Sequence, residues 1–247
     1  MSDFENAESC LQGKVILVTG AGAGIGKAVA IDYAKHGAEV ILLGKTTNKL
    51  ESTYDEIVNL GYPTPAIIPL DMKGATEQHY IDMTDTIISQ FGRLDGLLHN
   101  ASYLGGIMQL DQYPADMWNE VMQVNVTAQF LMTKALVPAL KKSEAGSVIF
   151  TSSSVGRKAR AYWGAYAISK FATEGMMQVL ADEFEYSAIR FNCINPGATA
   201  TRMRSKAYPA ENPETLKQPR DITPIYVHLM SDNAAKINGQ SLDAQPK

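Results

Sequence analysis

Lys14-Val15-Ile16-Leu17-Val18-Thr19-Gly20-Ala21-Gly22-Ala23-Gly24-Ile25-Gly26-Lys27-Ala28-Val29-Ala30-Ile31 runs from a short apolar strand, through a glycine-rich turn, into a helical pattern. Glycines let the chain turn tightly and approach a ligand closely, and a helix N-terminus offers unpaired amide donors to an anion. The G-x-G-x-x-G spacing does not fit. Counted from Gly20 its third glycine falls on Ile25, and counted from Gly22 it falls on Lys27. The spacing present is G-x-x-x-G-x-G, over Gly20, Gly24 and Gly26, and the pyrophosphate-holding physics is the same.

Outward from this turn the same alternation repeats. Apolar strand candidates fall at 14–19, 39–43, 66–70, 95–98, 147–151 and 189–194, and helical candidates at 24–36, 47–60, 76–91, 115–142, 163–185 and 222–231. Successive apolar residues with little polar alternation mark strands covered on both faces. Strands alternating with helices read as repeated βαβ units. The expected fold is therefore α/β: a doubly wound Rossmann fold with a mainly parallel sheet of six to seven strands and helices on both faces. No linker or repeat divides the 247 residues, so one domain over 1–247 is expected. The stretch at about 200–220 breaks the pattern with three prolines and several cations, and reads as a mobile lid over the carboxyl ends of the strands.

Composition narrows the function. Apolar residues make up 45% and charged residues 19%, with 22 basic against 26 acidic side chains, which excludes a disordered chain and argues against a nucleic-acid partner. Cys10 and Cys193 have neither disulfide-framework nor metal-ligand spacing, so no metal is expected. The acidic start, Met1 to Glu5, lacks the features of a signal peptide, and no apolar run is long enough to span a membrane. A cytoplasmic protein without membrane contact is the resulting expectation.

The end of the second strand reports on cofactor choice. Leu43-Gly44-Lys45-Thr46 has no carboxylate to bond a ribose 2′-hydroxyl; Gly44 leaves room and Lys45 supplies a cation where a 2′-phosphate would lie. NADP(H) is favoured over NAD(H). Tyr166 and Lys170 stand at i and i+4 in a helical segment, on one face. A phenol titrates near pH ~10, and an adjacent ammonium is expected to lower that value. Thirteen residues before Tyr166, Ser153 lies at the end of the fifth strand, where a hydroxyl can bond a substrate carbonyl.

These residues, in this order, resemble the short-chain dehydrogenase/reductase family over nearly the whole chain. Thr19-Gly20-x-x-x-Gly24-x-Gly26 is similar to the family's cofactor turn, with Ile25 inside it. Asp71, followed by Met72, resembles its adenine-contacting acid. His99-Asn100-Ala101-Ser102 resembles the family's Asn-Asn-Ala-Gly segment, with Ser102 replacing the glycine. Asn125, Ser153, Tyr166 and Lys170 match the catalytic tetrad. Pro196-Gly197, Thr199 and Thr201 resemble the segment beside the nicotinamide and phosphates, though Thr199 stands where relatives are often apolar. The run after Tyr166 and the Asp243-Ala244-Gln245-Pro246 ending are similar to a bacterial subgroup named for 3-oxoacyl-carrier-protein reduction.

The resemblance implies hydride transfer between nicotinamide and a carbonyl or secondary alcohol substrate, with a 3-oxoacyl thioester as one candidate. Tyr166 would be the general acid, Ser153 would hold the carbonyl oxygen, Lys170 would lower the tyrosine pKa and bond the ribose, and Asn125 would place a water beside Lys170. The alternative is a dinucleotide-binding redox sensor or scaffold without turnover. A homo-oligomer, dimer or tetramer, is implied, with Met176, Met177 and the 115–142 helix (Phe130, Leu131, Leu136, Val137) at its interface. Tyr162 and Trp163 read equally as substrate contacts or packing residues, and His99 as a hydrogen-bonded core histidine.

Overall fold

In a computed structural model, which describes residues 7–246, seven strands form one parallel sheet in the order β3-β2-β1-β4-β5-β6-β7. The acidic start at 1–5 lies outside the described residues. The strands are β1 Val15–Thr19, β2 Glu39–Gly44, β3 Ala66–Pro69, β4 Gly96–His99, β5 Gly146–Thr151, β6 Ile189–Asn195 and β7 Ser241–Asp243. Leu17 of β1 stands opposite Ile41 of β2 on one side and Leu97 of β4 on the other. Strand order therefore reverses between β1 and β4, where the carboxyl ends of an open α/β sheet leave a crevice for ligands.

Every β1 side chain is buried, and alternate residues enter opposite cores. Ile16 and Val18 join Val40 and Leu42 beneath α1 (Gly24–Lys35), α2 (Thr47–Asn59) and α8 (Thr223–Met230). Val15 and Leu17 join Ile41 and Leu43 on the other face, beneath α3 (Glu77–Phe91), α5 (Ala128–Leu140) and α6 (Gly164–Glu183). Each fully buried Val, Leu or Ile stabilises the fold by roughly 1.5–3 kcal/mol. Asp95 fastens the start of β4 to β1: its carboxylate accepts the Val15 amide at 2.8 Å and the Ser143 hydroxyl at 2.6 Å.

Three details differ from the sequence-based expectation. The helix expected over 115–142 is α4 (Ala115–Met122) and α5 joined by a π-helical turn, Gln123–Thr127. The 200–220 stretch is more ordered than a loop. It holds the short helix α7 (Arg202–Ala207), and its far end pairs back onto the chain, with Ala200 N donating to Lys217 O at 2.9 Å. Met177 is fully buried in the second core, and so is Leu136, so neither belongs to an exposed interface. Among the described residues no helix is long and apolar enough to cross a membrane.

Candidate active site

A cleft of about 420 Å³ opens over the carboxyl ends of the strands, beside the β1–β4 switch point. Its edge is the glycine turn. Gly20 and Gly24 take φ of +69° and +58°, which L side chains rarely adopt. A Cβ on Gly26 would come within 2.6 Å of Asn100 Nδ2 and would strike the Gly20 carbonyl, so that glycine packs the turn against β4 and sits beneath the cleft surface. Ala23 caps α1 with no side-chain hydrogen bond, and the first turn carries no acid, so its amides, including that of Ile25, remain available to an anion. This uncapped N-terminus and the crowded glycine cradle fit a dinucleotide pyrophosphate.

Thr19, in sequence only the residue before the glycine turn, ties the two central strands together. Its hydroxyl accepts the amides of Asn100 at 2.9 Å and Ala101 at 3.0 Å and donates to Leu98 O at 3.1 Å. Asn100 and Ala101 are thereby held at the cleft wall. At one end of the cleft stand Gly44 and the exposed Lys45, then Asp71 and Met72; Asp71 turns one oxygen onto the Lys73 amide at 3.1 Å. Across the cleft lies the Pro196 to Thr201 segment, pinned from the C-terminal end by Gln245. Gln245 Nε2 donates to Pro196 O, Ala198 O and Thr199 Oγ1 at 2.9, 3.0 and 3.3 Å. Thr199 is buried rather than presented to solvent, and Thr201 caps α7 by accepting the Arg204 amide at 3.1 Å. The role of Gln245 had no local signal in the sequence, because its partners lie some 46 to 49 residues away.

Tyr166 and Lys170, one turn apart on α6, both line the floor with Ser153, from the end of β5. Burial pushes the Tyr166 phenol up to about 12, and the hydroxyls of Ser153 and Ser102 facing it pull the value back only in part. Ser102, the residue that departs from the family glycine, thus takes a place beside the phenol; its Oγ is buried with no other partner. Lys170 stands over the Tyr166 ring. Its Nζ donates to Thr151 O at 2.8 Å and lies 5.5 Å from the Tyr166 ring centroid, and burial lowers its own pKa to about 8. For Tyr166, desolvation thus outweighs the two hydroxyls at the phenol, and Lys170 faces the ring and a backbone carbonyl.

Asn125 is fully buried in the π-helical turn, behind the cleft rather than on its surface. Its Oδ1 accepts the Tyr103 amide at 2.7 Å, and its Nδ2 donates to Tyr103 O and Ser169 Oγ, both at 2.9 Å. The side chain holds the cleft wall and α6 in place behind Lys170. π-turns inside helices occur frequently at functional sites. His99 is buried, hydrogen-bonded through Nε2 to Thr133 Oγ1 at 2.8 Å and stacked on Phe150, and burial drops its pKa to about 3. It is a neutral core residue. Trp163 lines the cleft, whereas Tyr162 is exposed.

A doubly wound sheet with a glycine turn at its switch point defines a dinucleotide-binding domain. The short chain dehydrogenase family model matches residues 14–212. The Escherichia coli (strain K12) oxidoreductase YciK is 48% identical over 243 residues, covering 98% of this chain and 96% of YciK. The FabG 3-oxoacyl-[acyl-carrier-protein] reductase of Thermotoga maritima is 30% identical over 240 residues, covering 93% of this chain and 95% of that enzyme. A Shigella flexneri 2a short chain dehydrogenase, crystallised as a complex with NADP, superposes with a TM-score of 0.95 at 48% identity, over 97% of this chain and all of that one. The chain belongs to the short-chain dehydrogenase family.

Proposed function

We propose that this protein is an NADP(H)-dependent oxidoreductase that interconverts a carbonyl compound and its secondary alcohol. The observation that carries the reading is the convergence of Ser153, Tyr166 and Lys170 on one cleft floor beside the glycine turn. Gly20, Gly24 and Ile25 would hold the pyrophosphate, Lys45 the 2′-phosphate, Asp71 and Met72 the adenine. Asn100, Ala101, Pro196, Gly197, Thr199 and Thr201 would bracket the nicotinamide half. The NADP complex of the Shigella relative supports this cofactor.

Bound in this cleft, reduced nicotinamide supplies the hydride. Tyr166, protonated at neutral pH, delivers its proton to the substrate oxygen as negative charge develops there, and Ser153 donates a hydrogen bond to the same oxygen. Lys170 holds positive charge below about pH 8 and favours the phenolate that remains. Asn125 fixes the Tyr103 wall and α6 behind them. Alcohol oxidation reverses these roles. The 200–220 segment, with α7, acts as the lid.

Similarity to FabG supports a 3-oxoacyl thioester as a substrate to test. Exposed Phe130, Ile168, Phe171 and Val179 on α5 and α6 support a homo-oligomer, dimer or tetramer, and light scattering decides its size. The two unpaired cysteines suit the cytoplasm. The central experiment is Tyr166→Phe, which is expected to abolish carbonyl reduction while NADPH titration stays near wild type. Near-normal turnover in that variant sinks the assignment, and wild-type NADPH binding with no carbonyl turned over favours the sensor reading.

A further inference from the structure

The proposed chemistry uses only the floor of the cleft. Above it, Leu104, Val155, Trp163, Met203 and Ala207 gather around Tyr166 as an apolar cluster separate from the two main cores. Trp163 and Met203 are only partly buried, so apolar surface faces the cleft. The indole of Trp163 lies tilted against the Tyr166 ring at 5.7 Å and against the Tyr208 ring at 5.9 Å. Tyr208, the first residue past α7, carries the Arg204 guanidinium stacked 3.8 Å from its ring centroid. Arg204 is in turn gripped by Glu211 through two bonds, Nε to Oε2 and Nη2 to Oε1, both 2.6 Å.

This chain of contacts has a chemical consequence. Glu211 takes two of the five N–H donors of Arg204 and offsets its charge within the same chain, which weakens Arg204 as a cation for a substrate acid. Arg202, the other α7 cation at the cleft, is exposed to water. A charged substituent placed flat against Trp163 and Met203 would lose hydration to apolar surface, whereas an apolar one gains by covering them.

We infer that the outer cleft selects an uncharged carbonyl substrate by stacking its flat apolar substituent on Trp163, and that the Tyr208–Arg204–Glu211 clasp positions that indole. Trp163 is the contact, and Tyr208, Arg204 and Glu211 are positioning residues acting through it. The inference rests on the proposed carbonyl reduction, because it places the substrate with its oxygen at Tyr166.

The test compares three ketones on the full chain saturated with NADP+, where binding is read without turnover: 4-methylacetophenone, its carboxylated counterpart 4-acetylbenzoate, and an acetoacetyl thioester. Calorimetry is expected to show the methyl ketone binding about tenfold or more tighter than the carboxylate, with Trp163→Ala erasing most of that difference. Tyr208→Ala and Glu211→Gln are expected to weaken the methyl ketone several-fold, to raise KM with NADPH while kcat holds, and to leave NADP+ affinity unchanged. Tighter binding of 4-acetylbenzoate or of the thioester, no measurable affinity for the methyl ketone, or unchanged affinity in Trp163→Ala overturns the inference. If the methyl ketone binds through Trp163 and yet no ketone is reduced with NADPH, the stacking wall stands and the proposed reaction fails.

Discussion

Lys170 Nζ is bound to the Thr151 carbonyl at 2.8 Å and stands over the ring of Tyr166, 5.5 Å from its centroid, rather than at its hydroxyl. Both groups are buried, and burial moves them toward neutrality from opposite sides: the phenol up to about 12, the ammonium down to about 8. The cation is then the group that changes charge first as pH rises.

That order predicts a pH profile. With Tyr166 protonated well past neutrality, kcat/KM for reduction is expected to fall as pH climbs through about 8, when Lys170 loses its charge. Lys170→Met should remove that limb and lower kcat/KM by about 10²–10⁴-fold. A profile that rises through this range would contradict the assignment.

Lys45 stands exposed at the end of the cleft, beside Gly44 and with no carboxylate at 44–46. Lys45→Ala is expected to weaken NADPH about tenfold, the value of one charge-assisted contact, and to leave NADH nearly unchanged. The NADPH affinity of the wild type should also fall more steeply with salt. Fluorescence titrations of both cofactors at two ionic strengths check this.

Gly26→Ala places a methyl against Asn100 Nδ2 and the Gly20 carbonyl, one of them backbone that cannot swing away. We expect a loss of about 1–3 kcal/mol in denaturant unfolding, together with weakened NADPH binding. Gly175→Ala is the control: a helical glycine in α6 with nothing within 4 Å of the added carbon, expected to gain about 0.5–1 kcal/mol.

His99 is held neutral in the core, its pKa depressed from 6.5 to about 3. A depressed value means that its contribution to stability is whole above pH 6.5 and drains away as pH falls toward 3, because the unfolded chain takes up a proton that the folded one refuses. The slope is at most about 1.4 kcal/mol per pH unit. His99→Gln should flatten the acid limb of the unfolding free energy between those limits. An unchanged slope would show that other groups govern it.

Much of this architecture is legible in the sequence. Six strands lie within a residue or two of their sequence positions because each carries a short β-branched or Leu-rich run, most of them buried on both faces. The seventh, Ser241–Asp243, carries no such run, being short and mostly exposed. Tertiary contacts hold it: Arg157 reaches Ser241 Oγ at 2.7 Å and Asp243 Oδ1 at 2.8 Å from more than 80 residues away. The π-turn at Gln123–Thr127 was hidden for a different reason. Its residues keep a helical pattern, while the turn places Asn125 in bonds with Tyr103 and Ser169, partners distant in sequence.

Periodicity and spacing by themselves determined the doubly wound class, the glycine turn and the pairing of Tyr166 with Lys170, since all three depend on local backbone geometry. Only the tertiary structure decided the charge states and the walls. Whether a buried phenol or ammonium shifts depends on what excludes water around it, and the lysine's choice of Thr151 O depends on where β5 ends. The Trp163–Tyr208–Arg204–Glu211 chain likewise exists because α7 folds back over α6. Neighbours distant in sequence set solvation, and solvation set the chemistry of the cleft.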